Sequence, residues 1–401
     1  MKKFSLENYY KKFEKLCSLS YLGYLNGSAE FRLKQKSLFL GNKIKNPVFD
    51  YPDLEKTGIE AWKKELISLK EDIVGQENNT VLKRVCLEKV ENKITETKIL
   101  RSFIEKDETG FLENNFKLYG KPSRKLYNFC IGYFRDERFN ENKLNKYLNV
   151  FEKNTRNEID EYLDNISLEG SFDQEKIKEI FNKVIKHTGF DGWKAEISTS
   201  SRVGFILDHD KKMVVIPQGK TLAGEKLKGL ISHEIGVHLL RRIRGEKLGN
   251  PLFYLGLPGY ERGEEGVGTL KEMALERKGF NPDHIVVALG ICFALGYEKN
   301  IKKDFRSVFE NILGLIISSQ KNLSEDEAKN KAWNMCSRIF AVPDWKPEGL
   351  CLTRDYIYLD GVLRILDLID RGEEKYLDLK IGKYDPANKE HIKIAKELSL
   401  V

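Results

Sequence analysis

No stretch of this 401-residue chain approaches the roughly 18 consecutive apolar residues that a membrane-crossing helix needs. No membrane partner is therefore expected. The N-terminus, MKKFSLENYYKKF, carries charge with no apolar run behind it, so it does not read as a secretory leader. Its better reading is the first turn of an amphipathic helix. Cysteine is sparse and scattered: Cys17, Cys86, Cys130, Cys292, Cys336 and Cys351 form no C-x-x-C. They are expected to be reduced, partly buried thiols of a cytoplasmic protein. A stripe of basic residues interleaved with aromatics, the footprint of a nucleic-acid binder, is also missing. The net charge of +7 comes mostly from lysines spread along the whole chain, which gives no more than a weak attraction for acidic peptide tails.

With 41% apolar and 32% charged residues, the chain has the composition of a globular protein with a heavily charged surface. Residues 1–168 read as an N-terminal helical region and 169–401 as a second domain. In the first, segments such as GIEAWKKELISLKEDIV and TVLKRVCLEKVENKITETKILRSFIEK place apolar residues at helical spacing. That half has no histidine up to residue 168 and no ligand cluster, so an architectural or partner-binding role is expected. QEKIKEIFNKVIKH, at 174–187, is another amphipathic helix. The pattern then changes: AEISTSSRVGFILD and MVVIPQ flank the polar HDKK and read as a hairpin. Helices follow at 281–296, 301–321, 324–340 and 354–371, with Thr353 as an N-cap, and a charged tail from about 385. The expected fold is α+β, mostly helical, with a small antiparallel sheet beside a helix that carries the chemistry. The edge of such a sheet can hold an extended peptide by main-chain hydrogen bonds.

Histidine is the informative scarcity. Of the six in the chain, His233 and His238 fall within six residues and flank Glu234 in LISHEIGVHLLRRIR. Neutral imidazole is a good zinc ligand, and a carboxylate beside the metal can take a proton from water. The usual zinc-peptidase spacing is H-E-x-x-H; here it is one residue longer. On an ideal helix five residues advance about 500°, leaving the two imidazoles about 140° apart. One wide turn would close that gap, so a π-type turn with an i to i+5 hydrogen bond is expected at 233–238, eased by Gly236. The plain alternative, two unrelated histidines on an amphipathic helix, leaves buried polar groups without a purpose.

The glycine-rich loop GEKLGNPLFYLGLPGYERG leads to Glu264–Glu265–Gly266 and a further helix. Either glutamate can serve the helix dipole. With two histidines just upstream, Glu265 is favoured as the third ligand, because catalytic zinc usually takes three protein ligands and keeps one position open. A fourth protein ligand, such as Glu264, would instead indicate a closed, structural site. Two histidines and one carboxylate also suit iron, as a minor alternative.

The segments HEIGVH (233–238), PLFYLGLPGYERGEEGVG (251–268) and TRDYIYLDG (353–361) resemble the tyrosine carboxypeptidase-like metallopeptidases. This family includes the microtubule-associated tyrosine carboxypeptidase of animals, and its bacterial members carry the label of flavohemoglobin expression-modulating QEGLA-motif proteins. The resemblance spans residues 170–370. It implies a zincin-like core, one Zn²⁺ on His233, His238 and Glu265, and Glu234 as general base. The chain has Glu264, Val267 and Gly268 where the QEGLA signature has Gln, Leu and Ala, and Arg354 where relatives commonly have lysine. The implied activity is removal of the C-terminal residue, tyrosine in the animal members, from a peptide or protein. For that reaction Tyr260 is the candidate second oxyanion donor. Arg338 and Arg354 are the candidate anchors for the substrate's terminal carboxylate, with Tyr358 lining the terminal pocket. The rivals are a zinc endopeptidase or aminopeptidase, which would need no such arginine, and a regulatory protein with a structural metal, in which Glu234 would have no use.

Overall fold

The computed structural model describes residues 8–25, 27–52, 54–135, 141–198, 204–343 and 348–401. Residues 1–7 of the expected N-terminal turn and 199–203 of the expected first strand lie outside them. The described residues divide into two compact units, one holding 141–279 and 361–401, the other holding 8–135 and 280–360. These units are drawn differently from the division at residue 168 expected from composition. Helices α7 (Glu141–Thr155) and α8 (Glu158–Asp164) share the Lys/Glu-rich character of the N-terminal half but pack in the first unit, where the Tyr147 hydroxyl donates to Asp370 at 2.5 Å. Surface composition says what a helix shows to water and not what it packs against.

The first unit carries the expected helix–sheet–helix order. α9 (Gln174–Thr188) starts at an Asp173 cap and stops at Gly189, whose φ of 65° is the left-handed conformation that glycine adopts at no cost. β1 (Ser171–Phe172) pairs antiparallel with β5 (Leu222–Ala223). β2 (Lys194–Ile197), β3 (Ile206–Asp208) and β4 (Met213–Ile216) form the larger sheet in the order β2-β4-β3. The β3–β4 hairpin is antiparallel as expected, but β2 runs parallel to β4, with Lys194 opposite Met213. The sheet is therefore mixed rather than antiparallel. Alternation of apolar residues identifies a strand but carries no information about the direction of its partner.

Behind the sheet, α10 (Gly224–His233), a π-helical turn (Glu234–Leu239) and α11 (Leu240–Leu248) run as one rod. Leu227, Ile231, Ile235 and Leu239 on one side of it are buried against Phe181 and Val184 of α9 and Val214 and Ile216 of β4. At about 25 cal/mol per Å² of apolar surface, this face is what fixes the rod on the sheet. Its other side meets α13 (Glu261–Glu276), which follows the short α12 (Pro251–Leu255). α13 is glycine-rich because other groups come close to its backbone. A Cβ at Gly266 would stand 2.5 Å from the Gly361 backbone, and one at Gly268 would stand 2.3 Å from the His233 ring. The expected charged tail is a packed segment. α18 (Lys389–Glu397) follows the buried Lys383, Tyr384 and Asp385.

In the second unit, α1 (Tyr10–Ser18) through α6 (Arg124–Phe134), with α2 (Ala29–Leu40), α3 (Lys56–Gln76), α4 (Thr80–Glu105) and α5 (Glu108–Tyr119) between, precede α14 (Pro282–Ala294), α15 (Phe305–Ser319) and α16 (Glu325–Ile339). These last three lie within the helices expected from the sequence. Phe39 packs on Phe305, Phe309 and Trp333. The expected cap Thr353 does not cap: its hydroxyl faces the Gly120 carbonyl at 3.0 Å, and the following turn is a short 3-10 segment before α17 (Ile357–Asp370). Among the described residues no helix is long and apolar enough to cross a membrane, and all six cysteines are buried free thiols.

Candidate metal centre

The widened turn stands where the histidine spacing requires it. Residues Glu234–Leu239 are π-helical, and the Leu240 N–H donates to the Ile235 carbonyl five residues back. The extra residue is absorbed in this turn, so the imidazoles of His233 and His238 face one another, with Nε2 atoms 3.0 Å apart. Gly236 has no left-handed φ, and a Cβ there would meet nothing nearer than the Ser232 hydroxyl at 3.4 Å.

Glu265, on the first turns of α13, completes a triangle. Its Oε2 lies 3.5 Å from His233 Nε2 and 3.6 Å from His238 Nε2. Two donors bound tetrahedrally to one zinc at about 2.0–2.2 Å stand about 3.3–3.5 Å apart. The two separations to Glu265 lie close to that figure and the one between the imidazoles is shorter, and these are the described residues whose donor atoms form such a group. The three side chains are only 9–14% exposed, so the triangle is largely buried.

The outer nitrogens of both rings are fixed by carboxylates. His233 Nδ1 bonds Glu272, and His238 Nδ1 bonds Glu264 Oε1 at 2.7 Å. Such partners set the tautomer that leaves Nε2 free to ligate. Glu264 is therefore turned to the back of His238 and away from the ligand triangle. Its Oε1 is also held by the buried Lys383 at 2.9 Å, with Arg241 4.0 Å from its Oε2. Arg241 is itself anchored on the carbonyls of Tyr384 and Leu377. In the metal-free site, where both imidazoles are pushed toward the protonated form, four carboxylates (Glu234, Glu264, Glu265, Glu272) face four cations (His233, His238, Lys383, Arg241). A divalent cation that displaces the two imidazole protons keeps that balance. Together, triangle and charge fit a single metal ion.

The carboxylates are tuned apart. Burial works to raise Glu264, but Lys383, His238 and Arg241 outweigh it and hold the group down at about 2. Burial is likewise outweighed at Glu265, where the two histidines keep the carboxyl well below its ordinary range. At Glu234 burial prevails and pushes the carboxyl up, with Glu265 and Glu272 adding to the rise. Burial works to lower His238, yet Glu265 and Glu264 carry it to about 9, and Glu272 and Glu265 raise His233 in the same way. Neighbouring carboxyls are thus driven apart, Glu264 and Glu265 toward the anion and Glu234 toward the protonated form.

Tyr260 occupies the N-cap of α13 with its ring packed on Gly256, and Lys383 Nζ stands 5.4 Å from the ring centroid. Lys383 thus links the Tyr260 ring to Glu264. Arg338, Arg354 and Tyr358 belong to the second unit. There Asp355 takes both arginines, Arg338 at 2.7 Å and Arg354 at 3.3 Å, and the Tyr358 ring lies 5.2 Å from that of His284.

Glu272, Lys383 and Arg241 were not anticipated. Glu272 had a signal: seven residues after Glu265, it lies within about 20° of the same helix face. Lys383 had none, being 119 residues from its partner.

A family model described as microtubule-associated tyrosine carboxypeptidase matches residues 37–400. No curated protein matches the chain.

Proposed function

The chain belongs to the microtubule-associated tyrosine carboxypeptidase family, and from that premise we propose that it is a zinc-dependent carboxypeptidase of zincin-like type. Its substrate class is the C-terminus of a peptide or protein, with tyrosine or another aromatic residue as the residue released. The observation that carries the metal reading is the triangle of His233 Nε2, His238 Nε2 and Glu265 Oε2, at 3.0, 3.5 and 3.6 Å. These three residues would hold one Zn²⁺. Zinc bound there supplies Lewis acidity to the scissile carbonyl and to the attacking water.

Glu234 is the general base. Its raised pKa brings it nearer neutrality, where a carboxylate accepts a proton and gives it up again most readily. It takes the proton of the attacking water at its carboxylate oxygen and passes it to the leaving amine. Glu264 and Glu272 hold the imidazoles in place by their Nδ1 atoms, and Lys383 with Arg241 keeps Glu264 ionised. Tyr260 is assigned as a second donor to the developing oxyanion. Arg338 and Arg354 are assigned to the substrate's terminal carboxylate and Tyr358 to the terminal pocket. The six buried thiols suit a reducing cytoplasm.

The closed structural-metal alternative would need a fourth ligand, and its candidate Glu264 faces His238 Nδ1 and Lys383 through Oε1, on the far side of the ring from the triangle. The experiment is mass spectrometry of peptides ending in Tyr, Phe, Leu, Glu or Lys after incubation with the zinc-loaded protein. The expected result is loss of one C-terminal residue by the wild type and none by Glu234→Gln. Internal cuts would replace this reading with an endopeptidase. Stoichiometric metal without cleavage of any peptide would favour the binding-protein alternative.

A further inference from the structure

A π-turn takes its backbone out of the regular i to i+4 ladder, and a buried carbonyl left over needs a partner from outside the helix. At this turn the Gly236 carbonyl has one. It accepts from Asn157 Nδ2 at 3.1 Å, in a buried contact between residues 79 apart in the chain. Asn157 is the N-cap of α8. Its Oδ1 accepts from the Ile159 and Asp160 amides at 3.0 and 3.4 Å, and its own N–H donates to Asp160 Oδ2 at 3.0 Å. The other Asp160 oxygen accepts from the Ser232 hydroxyl at 2.5 Å, one residue before His233. Lys271, one residue before Glu272, bonds both Asp160 and the Thr155 carbonyl. All of these side chains are buried: Asn157 is 8% exposed, Asp160 5%, Lys271 4% and Ser232 0%.

A buried network of this kind exceeds what is needed to start a seven-residue helix. Capping α8 takes only one acceptor. The donor arm of Asn157 reaches the middle of the π-turn, between His233 and His238, and the second oxygen of Asp160 reaches the residue before His233. Glycine does not make the turn, because Gly236 has an ordinary conformation and room for a methyl.

We infer that Asn157 and Asp160 are positioning residues for the metal centre: through the Gly236 carbonyl and the Ser232 hydroxyl they hold the π-turn in the register that brings the two imidazoles together. The zinc arm of the test rests on the metal reading above; the exchange arm does not. Asn157→Ser and Asn157→Asp both keep an oxygen to cap α8; aspartate has no donor for the Gly236 carbonyl, and the serine hydroxyl stops one bond short of the position from which Asn157 Nδ2 reaches it. In the full chain each should weaken zinc, measured by competition with a chromophoric chelator, by tenfold or more, as expected when an orienting group is lost. Each should leave the metal-free melting temperature within about 2 °C. In the metal-free protein, exchange of the Leu239, Leu240 and Arg241 amides should accelerate at least tenfold, with no change in α9. Gly236→Ala should bind zinc within threefold of wild type. Zinc affinity within twofold of wild type in both Asn157 variants, or unchanged exchange at 239–241, overturns the inference. So does a loss no larger than that of Ile159→Val, a variant of the same helix that leaves the network intact. If the wild type binds no zinc, the metal reading fails, and the exchange rates still decide the role of Asn157.

Discussion

Glu272→Gln separates the orientation of a ligand from the ligand itself. Glu272 touches no metal-facing atom. It holds His233 by Nδ1, on the far side of the ring from the Nε2 that faces His238 and Glu265. Glutamine keeps an oxygen that can accept the Nδ1–H bond but removes the charge that makes the imidazole a stronger donor. Loss of such an outer partner weakens metal binding by roughly 10–100-fold, or about 1.4–2.7 kcal/mol. The fold should notice little, because the Glu272 side chain is 26% exposed and caps no helix. The two effects can be read in one assay. At free zinc a hundredfold above the wild-type dissociation constant, binding stabilises the protein by about 2.7 kcal/mol. A thirtyfold weaker variant gains about 0.9 kcal/mol under the same conditions. Chemical denaturation with and without zinc should therefore show a zinc-dependent gain smaller by about 2 kcal/mol in Glu272→Gln, and equal stabilities without zinc. A variant with the full zinc-dependent gain would refute the orienting role. A variant equally destabilised with and without zinc would make Glu272 a fold residue instead.

Three further outcomes are expected. Arg338→Ala and Arg354→Ala should each raise KM for a peptide with a free C-terminal carboxylate by tenfold or more and leave the rate on a C-terminally amidated peptide unchanged; equal effects on both peptides would remove these residues from carboxylate recognition. His391 is held neutral: the Asp385 N–H donates to its Nδ1 at 2.9 Å, its Nε2 faces the Pro258 carbonyl at 3.1 Å, and burial lowers its pKa. A base whose folded pKa lies below the unfolded value of about 6.5 contributes stability that is whole above that pH and lost as pH falls below it. The stability of the metal-free wild type minus that of His391→Asn should therefore shrink between pH 7.5 and 5.5; a pH-independent difference would show that His391 does not titrate on unfolding. Gly361→Ala should cost about 1–3 kcal/mol, since its Cβ would stand 2.1 Å from the Arg262 carbonyl where α17 crosses α13. A melting temperature equal to that of the wild type would mean that the crossing can open without cost.

The site was legible where its geometry is local and hidden where it is assembled across the chain. The π-turn follows from counting residues, because no regular helix brings positions 233 and 238 to one metal. Glu265 follows from the need for a third donor near two histidines. Its neighbour Glu264 could be read as a dipole residue or a fourth ligand, and it is neither of these alone. Adjacent helical residues point about 100° apart, so when Glu265 faces the triangle Glu264 must face elsewhere, and the back of His238 lies there. That rotation was available from the sequence, whereas the identity of what it meets was not. The helices of the second half were legible from periodicity, and so was the β3–β4 hairpin. The parallel pairing of β2 was not, since a strand's alternation reads the same for either direction of its neighbour. The same limit explains the units. The N-x-x-D of Asn157 and Asp160 is readable as a helix start, but a capping box looks alike wherever its helix packs. Its attachment to Gly236 and Ser232 exists only once α8 lies against the histidine rod. The chain thus writes its candidate metal ligands between positions 233 and 265 and distributes the residues that hold them over positions 157 to 383, each under the pattern of an ordinary structural feature.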